Sequence, residues 1–88
     1  MKENFISMME RSVESERELL VSGETKCTHF INTVVPDKMR VDEEGIYLEA
    51  GDMVIDIRED FEVEYDEYEE MYIITCQDST KYYFSDAV

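Results

Sequence analysis

Eight carboxylates crowd the twelve positions from Glu59 to Glu70: Glu59, Asp60, Glu62, Glu64, Asp66, Glu67, Glu69 and Glu70, with no Lys or Arg among them. A second, shorter group is Asp42, Glu43 and Glu44. Ionised carboxylates accept hydrogen bonds, bind hard cations and attract guanidinium and ammonium groups. Three kinds of chemistry are open to such a group: acid/base catalysis, cation binding and docking onto a basic surface. Catalysis of the glycosidase type needs two carboxylates facing each other across a substrate cleft with pKa values pushed apart. An 88-residue chain leaves little room for that cleft, and it carries one His, no Gly-rich phosphate loop and no nucleophile elbow. The expectation is therefore a protein that is not an enzyme, with no catalytic residue and no cofactor.

Calcium needs oxygens converging from a tight loop with Gly at its bend, and neither Asp42-Glu43-Glu44-Gly45 nor Asp66–Glu70 follows the EF-hand pattern. Cys27, His29 and Cys76 have ligand chemistry for zinc, but a fourth ligand of the usual type is missing. Their simpler reading is two small, half-buried thiols and a strand histidine with a local hydrogen bond. No metal site is expected. Two cysteines are too few for a disulfide framework, which fits a reducing, cytoplasmic compartment. The N-terminus shows no signal-peptide pattern, and no apolar run approaches the roughly 20 residues of a membrane span.

Docking onto a basic surface suits the charge distribution best. From residue 42 to residue 88 sixteen acids face two bases, a net of −14, whereas residues 1–41 are nearly balanced and the whole chain stands at −15. That much like charge opposes compaction and exceeds what solubility requires. It also excludes direct binding to nucleic acid or an anionic membrane, because phosphate contacts need Lys and Arg. The partner implied is the reverse: a basic cleft that itself holds nucleic acid.

The elements that must position these acids follow from hydrophobic periodicity. The first twenty-two residues read as a helix, with Asn4 as N-cap, Ser7 and Glu10 at capping-box spacing, and Phe5, Ile6, Met9, Val13 and Leu20 along one face. Glu16 is the weak point of that face, and Gly23 reads as the stop. Beyond it the period changes to two. Residues 25–35 are rich in β-branched side chains and end at Pro36-Asp37, and Met39 with Val41 begins another extended piece. Ile46 and Leu48, a turn at Ala50-Gly51, then Met53, Ile55 and Ile57 facing inward read as a hairpin. Phe61, Val63 and Tyr65 alternate with Glu62, Glu64 and Asp66 in the cleanest half-buried strand of the chain. Residues 66–70 bend, residues 71–76 read as a central strand apolar on both faces, and residues 81–84 close the sheet. The fold class expected is α+β in one domain over residues 1–88: a helix over 1–22 packed on an antiparallel sheet over 25–85. The sheet has five or six strands, as a curled sheet or a small open barrel.

On such a strand alternate residues lie about 6.6–6.8 Å apart on one face. Successive phosphates of one nucleic-acid strand are spaced at roughly twice the axial rise per charge, a similar step. A rigid row of carboxylates thus matches sites built for phosphates, and an outward tyrosine among Tyr65, Tyr68 and Tyr72 stacks on arginine as a base would. The competing reading is a solvated face whose charge keeps the strand from pairing with other chains.

The stretch Glu64-Tyr65-Asp66-Glu67-Tyr68-Glu69-Glu70-Met71-Tyr72, in a chain of this size and charge, resembles the small acidic anti-CRISPR proteins of phages and mobile elements, in particular those that inhibit Cas9 by mimicking DNA. The resemblance covers about a tenth of the chain and lies in size, charge and this segment alone. It implies an inhibitor that occupies the Arg/Lys cleft reading the PAM duplex, in the cytoplasm of a bacterial host. The binding residues would be Glu59, Asp60, Glu62, Glu64, Asp66, Glu67, Tyr68, Glu69 and Glu70, extended by Asp42, Glu43 and Glu44. Two alternatives stay open from the residues themselves: an immunity protein neutralising a nuclease toxin, and a non-catalytic acidic accessory domain.

Overall fold

The structure, a computed structural model, describes residues 2–42 and 45–86. One helix, α1 (Lys2–Ser15), precedes eight strands: β1 (Leu19–Glu24), β2 (His29–Val34), β3 (Lys38–Asp42), β4 (Gly45–Ala50), β5 (Met53–Ile57), β6 (Phe61–Asp66), β7 (Met71–Cys76) and β8 (Lys81–Asp86). The strands form two antiparallel sheets, a five-stranded one in the order β2-β1-β8-β7-β6 and a three-stranded one in the order β3-β4-β5. The expected α+β class with an N-terminal helix on a curled antiparallel sheet holds. The sheets do not close into a barrel, and they contain eight strands rather than five or six.

The helix is shorter than the expected 1–22, and the reason is local. The Arg17 N–H donates to the Ser12 carbonyl at 3.0 Å, and Glu16 takes a left-handed φ of 52°. This is a Schellman ending, with glutamate where glycine is usual. Asn4 and Ser7 lie inside the helix instead of capping it. Leu20 and Gly23 belong to β1. Gly23 is opposite Phe30 in the β1–β2 register, and any side chain at Gly23 would run into the Phe30 ring. Its missing Cβ makes room for that ring, which also stacks 6.4 Å from Tyr82.

The core lies between the two sheets, with α1 packed against it and touching β3 and β6. Phe5, Met8 and Met9 from the helix meet Leu19, Val21, Phe61, Ile74, Cys76 and Phe84 from the larger sheet and Ile46, Leu48, Ile55 and Ile57 from the smaller. The Phe5 ring sits 5.7 Å from Tyr72 and 5.2 Å from Phe84, tilted against each as aromatic quadrupoles prefer. Ser12, buried on the same helix face, donates its hydroxyl to the Met8 carbonyl at 3.0 Å. Gly51 supplies the left-handed residue (φ 61°) that the two-residue turn between Ala50 and Met53 requires. No helix among the described residues is long and apolar enough to cross a membrane.

Candidate functional site

β6 is an edge strand of the five-stranded sheet, hydrogen-bonded among the described residues only to β7. Its register pairs Phe61, Val63 and Tyr65 with Cys76, Ile74 and Tyr72 on the core face, and Glu62, Glu64 and Asp66 with Thr75, Ile73 and Met71 on the outer face. The alternation in the sequence is therefore the alternation of the sheet. Glu62 and Glu64 are exposed on the outer face, and the exposed Glu67, Glu69 and Glu70 continue beyond the strand end in the turn to β7. Among the described residues none of these five carboxylates forms an ion pair, whereas Arg58 pairs with Asp56 at 3.0 Å.

Asp66 has a different job. Its Oδ1 accepts the N–H groups of Tyr68 at 2.9 Å and Glu69 at 3.1 Å, so the carboxylate shapes the turn, as aspartate does at such positions. Glu70 closes the turn with a left-handed φ of 54°. The field of the turn acids is felt nearby: the Tyr65 hydroxyl is pushed above its ordinary pKa first by desolvation and then by Glu70, Tyr72, Glu67 and Asp66.

The remaining expected residues separate from this row. Glu59 and Asp60 precede β6, at the end opposite the 67–70 turn. Asp60 Oδ1 accepts the N–H of Phe61 at 3.0 Å. The half-buried Glu59 faces the β7–β8 turn, where its carboxylate, the Cys76 thiol and the Asp78 carboxylate lie within 4.8 Å of one another. Burial, with help from Glu59 and Asp78, raises the Cys76 thiol to about 11. Asp78 is held low by the backbone N–H of Thr80, which donates to it at 3.0 Å. Asp42, Glu43 and Glu44 fall at the β3–β4 connection, where Glu43, Glu44 and the Asp42 side chain lie outside the described residues.

Of the three tyrosines, only Tyr68 projects freely, 93% exposed at the tip of the turn. Tyr65 and Tyr72 are cross-strand partners on the core side, edge to face with centroids 4.8 Å apart. Cys27 lies exposed in the β1–β2 connection rather than within the β2 strand, and it and the buried Cys76 are both free thiols. The group of potential metal ligands found among the described residues is thus Glu59, Cys76 and Asp78, not Cys27, His29 and Cys76.

Sequence reasoning missed the outer face beside the acids. Ile73 lies opposite Glu64 and next to Tyr83, and Met71 lies opposite Asp66. All three are half-buried on the face of the sheet opposite the core. The signal was present in the two-sided apolar pattern of residues 71–76, which fits a strand flanked on both sides but does not reveal which face turns from the core. No protein-family profile, curated protein or solved structure matches this chain.

Proposed function

We propose that this chain is an inhibitor protein that occupies the basic nucleic-acid-binding cleft of a bacterial nuclease, its carboxylates standing where phosphates bind. The resemblance noted in the acidic segment makes the PAM-reading cleft of Cas9 the first target to test, inside the host cytoplasm. The reading rests on one observation: Glu62 and Glu64 stand exposed on an edge strand, followed by the exposed turn acids Glu67, Glu69 and Glu70, and none of the five is in an ion pair among the described residues. The sheet holds Glu62 and Glu64, and the Asp66 carboxylate braces the turn that carries the others, so less conformational freedom is lost on docking. Tyr68 adds a flat, fully accessible ring at the end of the row, suited to an arginine face. The half-buried Met71, Ile73 and Tyr83 beside the acids give a protein partner apolar contact that a simple cation could not use.

The test is binding of the chain to guide-loaded Cas9, read together with protection of PAM-bearing DNA from cleavage. The wild type is expected to compete with DNA and to weaken steeply as salt rises. The triple variant Glu62→Lys, Glu64→Lys and Glu67→Lys is expected to lose at least about 100-fold in affinity, since charge-assisted hydrogen bonds are worth about 1.5–3 kcal/mol each. Asp66 is left intact because the turn depends on it. Binding by the triple variant equal to that of the wild type would overturn the reading. Acid-dependent binding to a different basic nuclease would keep the mode and replace the target.

A further inference from the structure

The other edge of the same sheet has the opposite chemistry. Among the described residues β2 pairs with β1 alone, and its six residues, His29-Phe30-Ile31-Asn32-Thr33-Val34, contain no Asp, Glu, Lys or Arg. Every residue from His29 to Thr33 is exposed, with Phe30 at 36% and Ile31 at 67%. Val35, which follows the strand, is 37% exposed. An uncharged, apolar edge strand with an open row of N–H and C=O groups is a template for another strand. In a chain of net charge −15, the approaching partner is set by where repulsion is weakest. β2 lies four strands from β6, about 19 Å at the usual inter-strand spacing, and no acid occurs between Thr25 and Pro36.

We propose that β2 is a self-association edge, on which a second copy of this chain pairs its own β2 antiparallel about a two-fold axis at Ile31, joining two five-stranded sheets into one of ten strands. An isologous contact of this kind keeps each face of the sheet on its own side. Residues directly opposite must then come from the same face. On the outer face of β2 these are His29, Ile31 and Thr33, which pair with Glu24, Ser22 and Leu20 of β1. Centring the pair on Ile31 sets the most exposed apolar side chain of the strand against its own symmetry mate and matches His29 with Thr33. The two acidic rows then sit at opposite ends of the joined sheet, as far apart as this geometry allows. The inference does not depend on the inhibitor reading, and salt separates the two: screening weakens docking onto a basic cleft and strengthens pairing of two like-charged copies.

The experiment is sedimentation of the full chain from low micromolar to millimolar concentration at low and high salt. The mass is expected to rise from 10.4 kDa toward twice that value, with more dimer at high salt. Ile31→Lys, at an exposed position, is expected to weaken dimerisation at least about tenfold while leaving the far-UV circular dichroism unchanged. Register is read by oxidation in a Cys27→Ser background. Opposite residues of an antiparallel pair have Cα atoms about 4.5–5.5 Å apart, within disulfide range, so Ile31→Cys is expected to form a covalent dimer. Thr33→Cys would sit about 14 Å along the strand from its mate and is expected to stay monomeric. A chain that remains monomeric throughout, dimerisation unaffected by Ile31→Lys, or equal crosslinking by the two cysteine variants each overturns the proposal.

Discussion

β6 and β2 border one sheet, each six residues long and each bonded to a single antiparallel neighbour. Among the described residues, each has one side with no neighbouring strand. Their side chains differ. β6 sets Glu62 and Glu64 on its outer face and leads into a turn of further acids, while β2 contains no Asp, Glu, Lys or Arg. Like charges along β6 would repel a second copy and favour a cationic surface, as proposed for that edge. The β2 edge lacks that barrier, which is what the proposed pairing uses. Side-chain charge is the device by which sheet proteins commonly govern their edges.

Three further measurements break or sharpen that contrast. The largest effect is expected from making β6 resemble β2 with Glu62→Thr and Glu64→Val. If charge alone guards the edge, this variant associates through β6 even when Ile31→Lys has closed β2, and light scattering shows larger species at matched concentration. A strictly monomeric triple variant would show that something other than the acids protects β6.

A smaller effect separates the turn-shaping acid from the exposed ones. Asp66→Ala removes the acceptor of two backbone N–H groups and is expected to lower unfolding free energy by about 1–2 kcal/mol. In a urea titration the midpoint falls at constant slope. Glu64→Ala is expected to leave the midpoint equal or slightly higher, because it removes one charge from a crowded row. Equal losses from both variants would place Glu64 among the structural residues.

The gentlest test concerns Glu59, which the sequence grouped with the row and the fold carried to Cys76. The thiol rises from 9.0 to about 11 in the folded chain. Below pH 9 it is protonated in both folded and unfolded states, so its contribution is constant. Between about pH 9 and 11 the unfolded chain releases the proton and the folded chain keeps it, so stability falls as pH rises. Tyr65, Tyr82 and Tyr83, also raised, bend the curve in the same direction. Cys76→Ala is therefore expected to shallow the alkaline slope of the urea midpoint without abolishing it.

The candidate row was legible because half-burial writes itself into a strand as strict alternation. Phe61, Val63 and Tyr65 against Glu62, Glu64 and Asp66 gave both the strand and its wet face. The hairpin of β4 and β5 was readable for the same reason, with Leu48 opposite Ile55 and Ile46 opposite Ile57. The helix end was not readable. Glu16 adopts the conformation that glycine usually supplies, so the stop carried no compositional mark, and Leu19 and Val21 suit a helix face as well as a strand. Which of the three tyrosines faces outward was left open by the interleaving along the turn; Tyr68 does, while Tyr72 turns inward to meet Phe5.

Local pattern by itself determined the acidic half, the periods of the central strands and the inward set that fills the core, since each depends on neighbours within a few residues. Tertiary structure alone decided which strands became borders. The first and last strands meet, Leu19 opposite Asp86 and Val21 opposite Phe84, and that long-range pairing pushes β2 to one margin and β6 to the other. A residue's distance from the border of a sheet is a property of the whole chain's pairing, which is why the charged margin and the bare one could be recognised only once the strands were in order.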